Sequence, residues 1–273
     1  NAHNNELTVC VYDPTDEGWQ QRGKQVLKTH GFWYTATSGI WQTVWLESVP
    51  LTFIEKIRIT PDIDNEEVRI TVFTNTAPEN KAELVIVDGE KVVAELTYES
   101  GKENVVKIDD MKLWSPEDPH LYDVVAVCDG DMVRSYFGMR KFSYGKDAEG
   151  KMRLFLNNKP YFHNGLLDQG YWCDGMLTPP SDEAMIYDIK LMKDLGFNML
   201  RKHIKVEPMR WYYHCDRLGM IVWQDMVSGG GKYNFLCIAV LPFLGFMIPD
   251  SRYGFFARKN KEARDEFTAQ YFE

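Results

Sequence analysis

The chain has no block of lysines and arginines, no C-x-x-C pair, no G-x-G-x-x-G string and no unbroken apolar run long enough to cross a bilayer. Each absence removes a class of protein. With 31 Lys and Arg against 40 Asp and Glu, and a net charge of −9, no basic stripe exists for a phosphate backbone, so a nucleic-acid partner is not expected. The five cysteines (10, 128, 173, 215 and 237) are scattered and odd in number, which gives neither a disulfide framework nor a Cys/His ligand set. No metal and no cofactor is therefore expected. The longest apolar stretch, Phe235 to Pro249, is broken by Pro242 and Gly245, so no membrane span is expected. No initiator Met or signal peptide opens the text, and strand-like residues already run from Glu6 to Tyr12, which reads as a clipped N-terminus. Compartment is thus not legible; a soluble protein, periplasmic or extracellular in its full length, is the expectation.

What is present fits a folded chain: 44% of 273 residues are hydrophobic and 26% charged, close to globular averages. Aromatics reach 14%, with eight Trp. Such a surplus serves either a well-filled β-rich core or sugar-stacking surfaces, because pyranose CH groups pack on ring faces.

Three zones follow one another. Residues 1–50 alternate strand patterns, Leu7–Tyr12 and Ile40–Val49, with turn clusters, and are too short to close a sandwich alone. Residues 51–145 hold short strands about ten residues apart: Glu67–Thr74, Glu83–Val87, Lys91–Thr97, Val105–Ile108, Tyr122–Cys128 and Met132–Phe137. Asp88-Gly-Glu90 and Asp129-Gly-Asp131 mark hairpins, and the spacing suggests an immunoglobulin-like β-sandwich. From residue 146 the period changes. Ser181 caps a predicted helix through Met185, Ile189 and Met192 that stops at Gly196; Pro208 opens a second helix that stops at Gly219. With strands at Tyr161–Asp168, Phe197–Ile204 and Met220–Asp225, the order is that of a parallel α/β fold, either the start of a (β/α)₈ barrel or an open doubly wound sheet.

The ends of these three strands are polar. The first offers Asn164, Asp168 and Gln169, then Trp172; the second Arg201, His203 and Lys205, two apart and so on one face of an extended strand; the third Trp223, Gln224 and Asp225. In a parallel barrel these ends meet at one face, where they would suit hydroxyl recognition beside aromatic rings. The same polarity would arise from a solvated rim or from structural ion pairs such as Arg201 with Asp225, and both readings stand at this stage. His163 and His214 read as packing residues. Glycoside cleavage needs two carboxyl groups across the bond. Glu66, Glu262, Glu266 and Glu273 read as turn or surface residues, so the sequence offers no catalytic pair.

Five strings in order resemble glycoside hydrolase family 2, the β-galactosidase, β-mannosidase and β-glucuronidase group. Ser38-Gly-Ile-Trp-Gln-Thr-Val-Trp-Leu-Glu47 is similar to the closing strand of its jelly-roll domain, and Leu113-Trp-Ser-Pro-Glu-Asp-Pro-His-Leu-Tyr122 to a segment of its immunoglobulin-like domain. Phe137-Gly-Met-Arg140, Asn158-Lys-Pro-Tyr-Phe-His-Asn-Gly165 and Cys215-Asp-Arg-Leu-Gly219 resemble the approach to its barrel, the first barrel strand, and the stretch before the third. The resemblance implies the C-terminal part of a jelly roll (1–50), an immunoglobulin-like sandwich (51–145) and the first part of a TIM barrel (146–273). It implies a fragment of a retaining β-glycosidase of carbohydrate metabolism acting on terminal, galactosyl-type residues. Arg201 would be a substrate-site arginine, with His203, Asp168, Asp225, Trp223, Gln169 and Trp172 as further binding residues. The acid/base and nucleophile glutamates are expected beyond Glu273, which leaves this piece inactive, poorly soluble around Phe235–Phe246, and part of a homo-oligomer candidate. Two departures stand out: Ile204 occupies the place where the better-known members carry a histidine, and Gln224-Asp225 stands where they commonly have Asp-Glu. The alternative is a non-catalytic carbohydrate-binding or scaffold protein.

Overall fold

The computed structural model describes residues 6–80, 82–229, 236, 240–246 and 261–272. Residues 6–50 hold two strands of two residues each, β1 (Gln25–Val26) and β2 (Tyr34–Thr35), paired in parallel. The strands expected at Leu7–Tyr12 and Ile40–Val49 do not form. Their alternation is real, but no neighbouring edge pairs with them, and a strand without a partner leaves its backbone to solvent; Tyr12 and Leu46 are almost fully exposed. No jelly-roll sheet stands among the described residues of this zone.

The next zone is a seven-stranded sandwich. One sheet has the order β3 (Ile54–Asp62), β4 (Glu67–Thr74), β7 (Glu103–Lys107); the other runs β6 (Lys91–Thr97), β5 (Glu83–Asp88), β8 (Tyr122–Cys128), β9 (Asp131–Phe137), and every pairing is antiparallel. Period-two alternation decides which side is buried. Val68, Ile70 and Val72 of β4 face Leu84 and Ile86 of β5 and Val124, Ala126 and Cys128 of β8, all of them shielded from solvent.

A small antiparallel sheet, β10 (Phe142–Lys146), β11 (Met152–Leu156) and β12 (Lys159–Pro160), separates the sandwich from a parallel one. That second sheet has strands β13 (Gly165–Asp168), β14 (Met199–Lys202) and β15 (Ile221–Gln224) in sequential order, with α1 (Asp182–Asp194) and α2 (Met209–Leu218) in the two crossovers. Both helices start and stop where the sequence says. Ser181 Oγ accepts from the Ala184 amide at 3.2 Å, and Asp182 and Glu183 occupy the positive end of the dipole. Ser181→Ala should cost about 1 kcal/mol of unfolding free energy, read by urea denaturation; an unchanged midpoint would remove the cap from the account. Gly219 ends α2 at φ 74°, and its place is tight, since an added Cβ would lie 2.5 Å from the Pro116 carbonyl oxygen. Met185 and Ile189 of α1 and Trp211 and Cys215 of α2 close over Leu200 on one side of the sheet.

Beyond β15 the described residues include a short turn, α3 (Leu241–Phe243), and α4 (Lys261–Phe272). Glu262 and Glu266 of α4 are exposed, as the sequence suggests. Glu273, Cys237 and most of the segment from Phe235 to Ala239 lie outside the described residues. No helix among the described residues is long and apolar enough to cross a membrane.

The sandwich and the parallel unit meet at Trp114, which is completely buried. Its indole Nε1 donates to the Asp216 carbonyl at 2.7 Å, and its backbone amide donates to Met139 O at 2.9 Å. The Arg140 guanidinium lies 4.5 Å above the ring and donates to Asp216 Oδ1 at 2.6 Å, while the Tyr136 hydroxyl donates to Asp216 Oδ2 at 3.0 Å. Gly138 passes beneath the indole, where any Cβ would sit 3.0 Å from that of Trp114.

Candidate functional site

The register sorts the strand ends onto two faces. Leu167, Arg201 and Trp223 lie side by side on one face of the parallel sheet, and Asp168, Lys202 and Gln224 on the other. Lys202 faces the helices, with its ammonium 4.1 Å from the Trp211 ring centroid. Arg201 therefore points away from them.

On the open face, Arg201 Nε donates to Asp225 Oδ1 at 2.9 Å, and His203 Nε2 lies 3.9 Å from Asp225 Oδ2. The Asp225 charge holds the guanidinium pKa up. Only Nε of Arg201 is used in that pair, so the Nη groups remain for a ligand. Burial, helped by the nearby Lys24 and Arg201 charges, lowers the His203 pKa, which makes His203 a neutral imidazole at pH 7. Trp223 Nε1 donates to His163 Nδ1 at 2.8 Å. That bond fixes the indole, and burial lowers the His163 pKa, so His163 packs and orients as the sequence suggests.

The helix face carries a different device. Lys202, 1% exposed, has its Nζ 2.9 Å from both Asp168 Oδ2 and Glu207 Oε1. Lys205 Nζ also reaches Glu207 Oε1 at 2.9 Å and donates to the Gly170 and Leu177 carbonyls at 2.5 and 2.8 Å. Four charges thus neutralise one another behind the strand ends. Burial lowers the Lys205 pKa against the pull of Glu207.

The structure brings Arg201, His203, Asp225 and Trp223 together and sends Asp168 to the opposite side, where it holds Lys202. Lys205 does not share a face with Arg201 and His203. The strand ends at Lys202 and Ile204 adopts φ 46°, so the chain turns and drives Lys205 inward. Gln169 Oε1 accepts from the Tyr34 hydroxyl at 2.7 Å. Trp172 exchanges backbone hydrogen bonds with Met176 and packs on the Met185–Trp211 cluster, a packing position. His214, buried in α2, sits 3.3 Å from Asp182 Oδ2 and accepts from Arg217 Nε.

In front of His203 lies a cleft of about 500 Å³. Its far wall is the N-terminal segment, fastened by the Arg22 and Gly23 amides to Ser228 O at 2.9 and 3.1 Å and by Thr178 Oγ1 to Trp41 O at 3.0 Å. Tyr34 and Tyr171 stack with centroids 4.3 Å apart, and Lys24 and Trp41 also line the cleft. Sequence reasoning missed Lys24, Tyr34, Tyr171, Lys202 and Glu207. For the last two a signal existed in Lys202-His-Ile-Lys-Val-Glu207, which sets two lysines and a glutamate within six residues. No cluster that could hold a metal ion occurs among the described residues.

Fold and cleft together define a β-rich modular chain whose polar site stands at the strand ends of a parallel β/α unit. Residues 52–140 match the family model "Glycosyl hydrolases family 2". Similar curated proteins include a β-galactosidase of Lactococcus lactis subsp. lactis, 28% identical over 194 residues, covering 69% of this chain and 19% of the relative. A β-galactosidase of Vibrio vulnificus is 30% identical over 245 residues (82% and 23%), and a putative β-glucuronidase of Formosa agariphila is 28% identical over 204 residues (69% and 24%). The chain spans about a fifth of the length of these relatives. Among solved structures, Faecalibacterium prausnitzii β-glucuronidase superposes with a TM-score of 0.57 at 24% identity, covering 65% of this chain and 28% of the other. A β-D-glucuronidase of Dictyoglomus thermophilum gives 0.57 at 20% identity, covering 68% and 31%. These likenesses establish the β-rich fold.

Proposed function

We propose that the protein containing this chain is a retaining β-glycosidase that hydrolyses terminal β-glycosidic bonds. In this reading residues 1–50 belong to a jelly-roll domain, and the parallel sheet is the opening of a (β/α)₈ barrel whose acid/base and nucleophile glutamates lie outside this chain. The observation that carries it is the Arg201–His203–Asp225 group beside Trp223, set at the strand ends where a parallel barrel places its site. Arg201 offers its two Nη amino groups for sugar hydroxyls, neutral His203 offers a ring nitrogen, and Trp223 offers a ring, 43% exposed, for stacking. Relatives named β-galactosidase favour the galactosyl-type substrate, and relatives named β-glucuronidase favour a uronide.

The test is Arg201→Ala in the complete enzyme against a panel of aryl β-glycosides. A fall in kcat/KM on the order of 10- to 100-fold is expected, the scale of losing hydrogen bonds from a charged group. Unchanged turnover would remove Arg201 from the site. Saturable glycan binding without turnover of any glycoside would favour the non-catalytic carbohydrate-binding reading.

A further inference from the structure

Gln224 ends β15 on the helix side of the sheet, beside Lys202 and away from Arg201 and Trp223. Its carboxamide gathers three segments of chain. Nε2 donates to the Lys205 carbonyl at 2.8 Å and to the Asp225 carbonyl at 2.7 Å. Oε1 accepts from the Tyr212 hydroxyl of α2 at 2.5 Å, and the Tyr212 oxygen accepts from the Glu207 amide at 3.2 Å. These bonds run one way. With the Glu207 N–H directed at the Tyr212 oxygen, the hydroxyl proton goes to Oε1, and the two amide hydrogens of Gln224 go one to each carbonyl.

The residues joined in this way flank the site. His203 is presented by a turn at Ile204, whose φ of 46° is costly for a β-branched residue and persists where the surroundings enforce it. On one side of that turn the His203 amide donates to the Asp168 carbonyl at 2.8 Å; on the other, the Lys205 carbonyl is held by Gln224. Asp225 is gripped from two sides as well. Its amide donates to the Lys202 carbonyl at 3.0 Å, and its own carbonyl accepts from Gln224. Gln224 thus ties the turn that carries His203 to the residue whose carboxylate meets Arg201 at 2.9 Å and stands 3.9 Å from His203 Nε2.

We propose that Gln224 is a positioning residue: through the Lys205 and Asp225 carbonyls it sets the Asp225 carboxylate against Arg201 and His203, with Tyr212 orienting its carboxamide for that task. The inference rests on the glycoside-binding reading of the site and deepens it. Gln224 faces away from the sugar and acts through Asp225, so its removal loosens the Arg201–Asp225 pair without taking a group from the cleft.

The experiment assays the complete protein on the aryl β-glycoside it cleaves fastest, with circular dichroism to check that each variant folds. Gln224→Ala is expected to lower kcat/KM on the order of tenfold. Gln224→Glu keeps the acceptor for Tyr212 and loses both donated bonds, so it should fall at least as far. In an Asp225→Ala background the loss from Gln224→Ala should shrink to about twofold or less, because no carboxylate is left to place. A merely structural role would give the same loss in both backgrounds. Equal losses, or a Gln224→Ala variant as active as the wild type, overturn the inference. Tyr212→Phe keeps the ring, frees Oε1, and serves the same comparison should Gln224→Ala fail to fold. The NMR signal of Arg201 Nε–H, assigned by its loss in Arg201→Lys, reads the same point without turnover. It should move toward that of an unpaired guanidinium in Gln224→Ala and in Tyr212→Phe, and an unmoved signal overturns the inference. A wild type that cleaves no glycoside defeats the hydrolase reading alone and leaves the decision on Gln224 to that signal.

Discussion

Replacing Trp114 with alanine is expected to lower the free energy of unfolding by about 3–5 kcal/mol, the range for truncating a fully buried large aromatic. Trp114 has no exposed surface, and it lies between Met199 and Ile221 of the parallel sheet and the strand ends of the sandwich. Truncation leaves a cavity beneath Arg140 and strips the Asp216 carbonyl of its 2.7 Å donor. The neighbours cannot collapse inward, because Gly138 has no side chain to contribute. Guanidinium denaturation followed by tryptophan fluorescence and by circular dichroism would test this. The two probes should report separate transitions in the variant, since the contact that couples the units is gone. A loss below about 1 kcal/mol, with coincident curves, would mean that the seam is held elsewhere.

Glu207→Ala should cost about as much, roughly 3–5 kcal/mol, by a different route. Glu207 stands between two ammonium groups at 2.9 Å, and its partners Lys202 and Lys205 are 1% and 6% exposed. Removing the carboxylate leaves two largely buried like charges to share Asp168 and two carbonyls. Lys202 retains Asp168 and Lys205 retains the Gly170 and Leu177 oxygens, so the lower end of the range is expected. Urea denaturation measures it. A variant as stable as the wild type would show that solvent enters the cluster freely.

Six of the seven sandwich strands were legible in the sequence to within about two residues at their ends, and β3 (Ile54–Asp62) was not read as a strand. Val68, Ile70 and Val72 alternate with charged or polar neighbours, and only one side of a sheet can be dry. Both crossover helices were legible for an equally local reason, as Ser181, Pro208 and Gly219 impose their conformations whatever surrounds them. The N-terminal zone was misread because alternation shows which side would be buried and not whether a partner exists. The site divides along the same line. Arg201, His203 and Asp225 were proposed from strand-end polarity, which is local, and the fold brings the three side chains near one another. Asp168 was assigned to the wrong side of the sheet because the exact register, not the composition, decides which way it points. Lys202 and Glu207 escaped because a lone Lys or Glu in a sequence reads as a solvated surface residue; only the tertiary structure pairs them. Lys24 lies about 180 residues from His203 in sequence, and no pattern links them before the chain folds.

Asp216 joins the two units through both its carbonyl and its carboxylate. Three of the strings that give this chain its family likeness, around Trp114, Phe137–Arg140 and Cys215–Gly219, converge on a joint between two modules, whereas the Ser38–Glu47 string reaches the cleft through Gly39 and Trp41. Residues that hold such a joint are constrained by the packing around Trp114 and not by any reacting group. A likeness built on those strings speaks for the architecture, not for the side chains around His203.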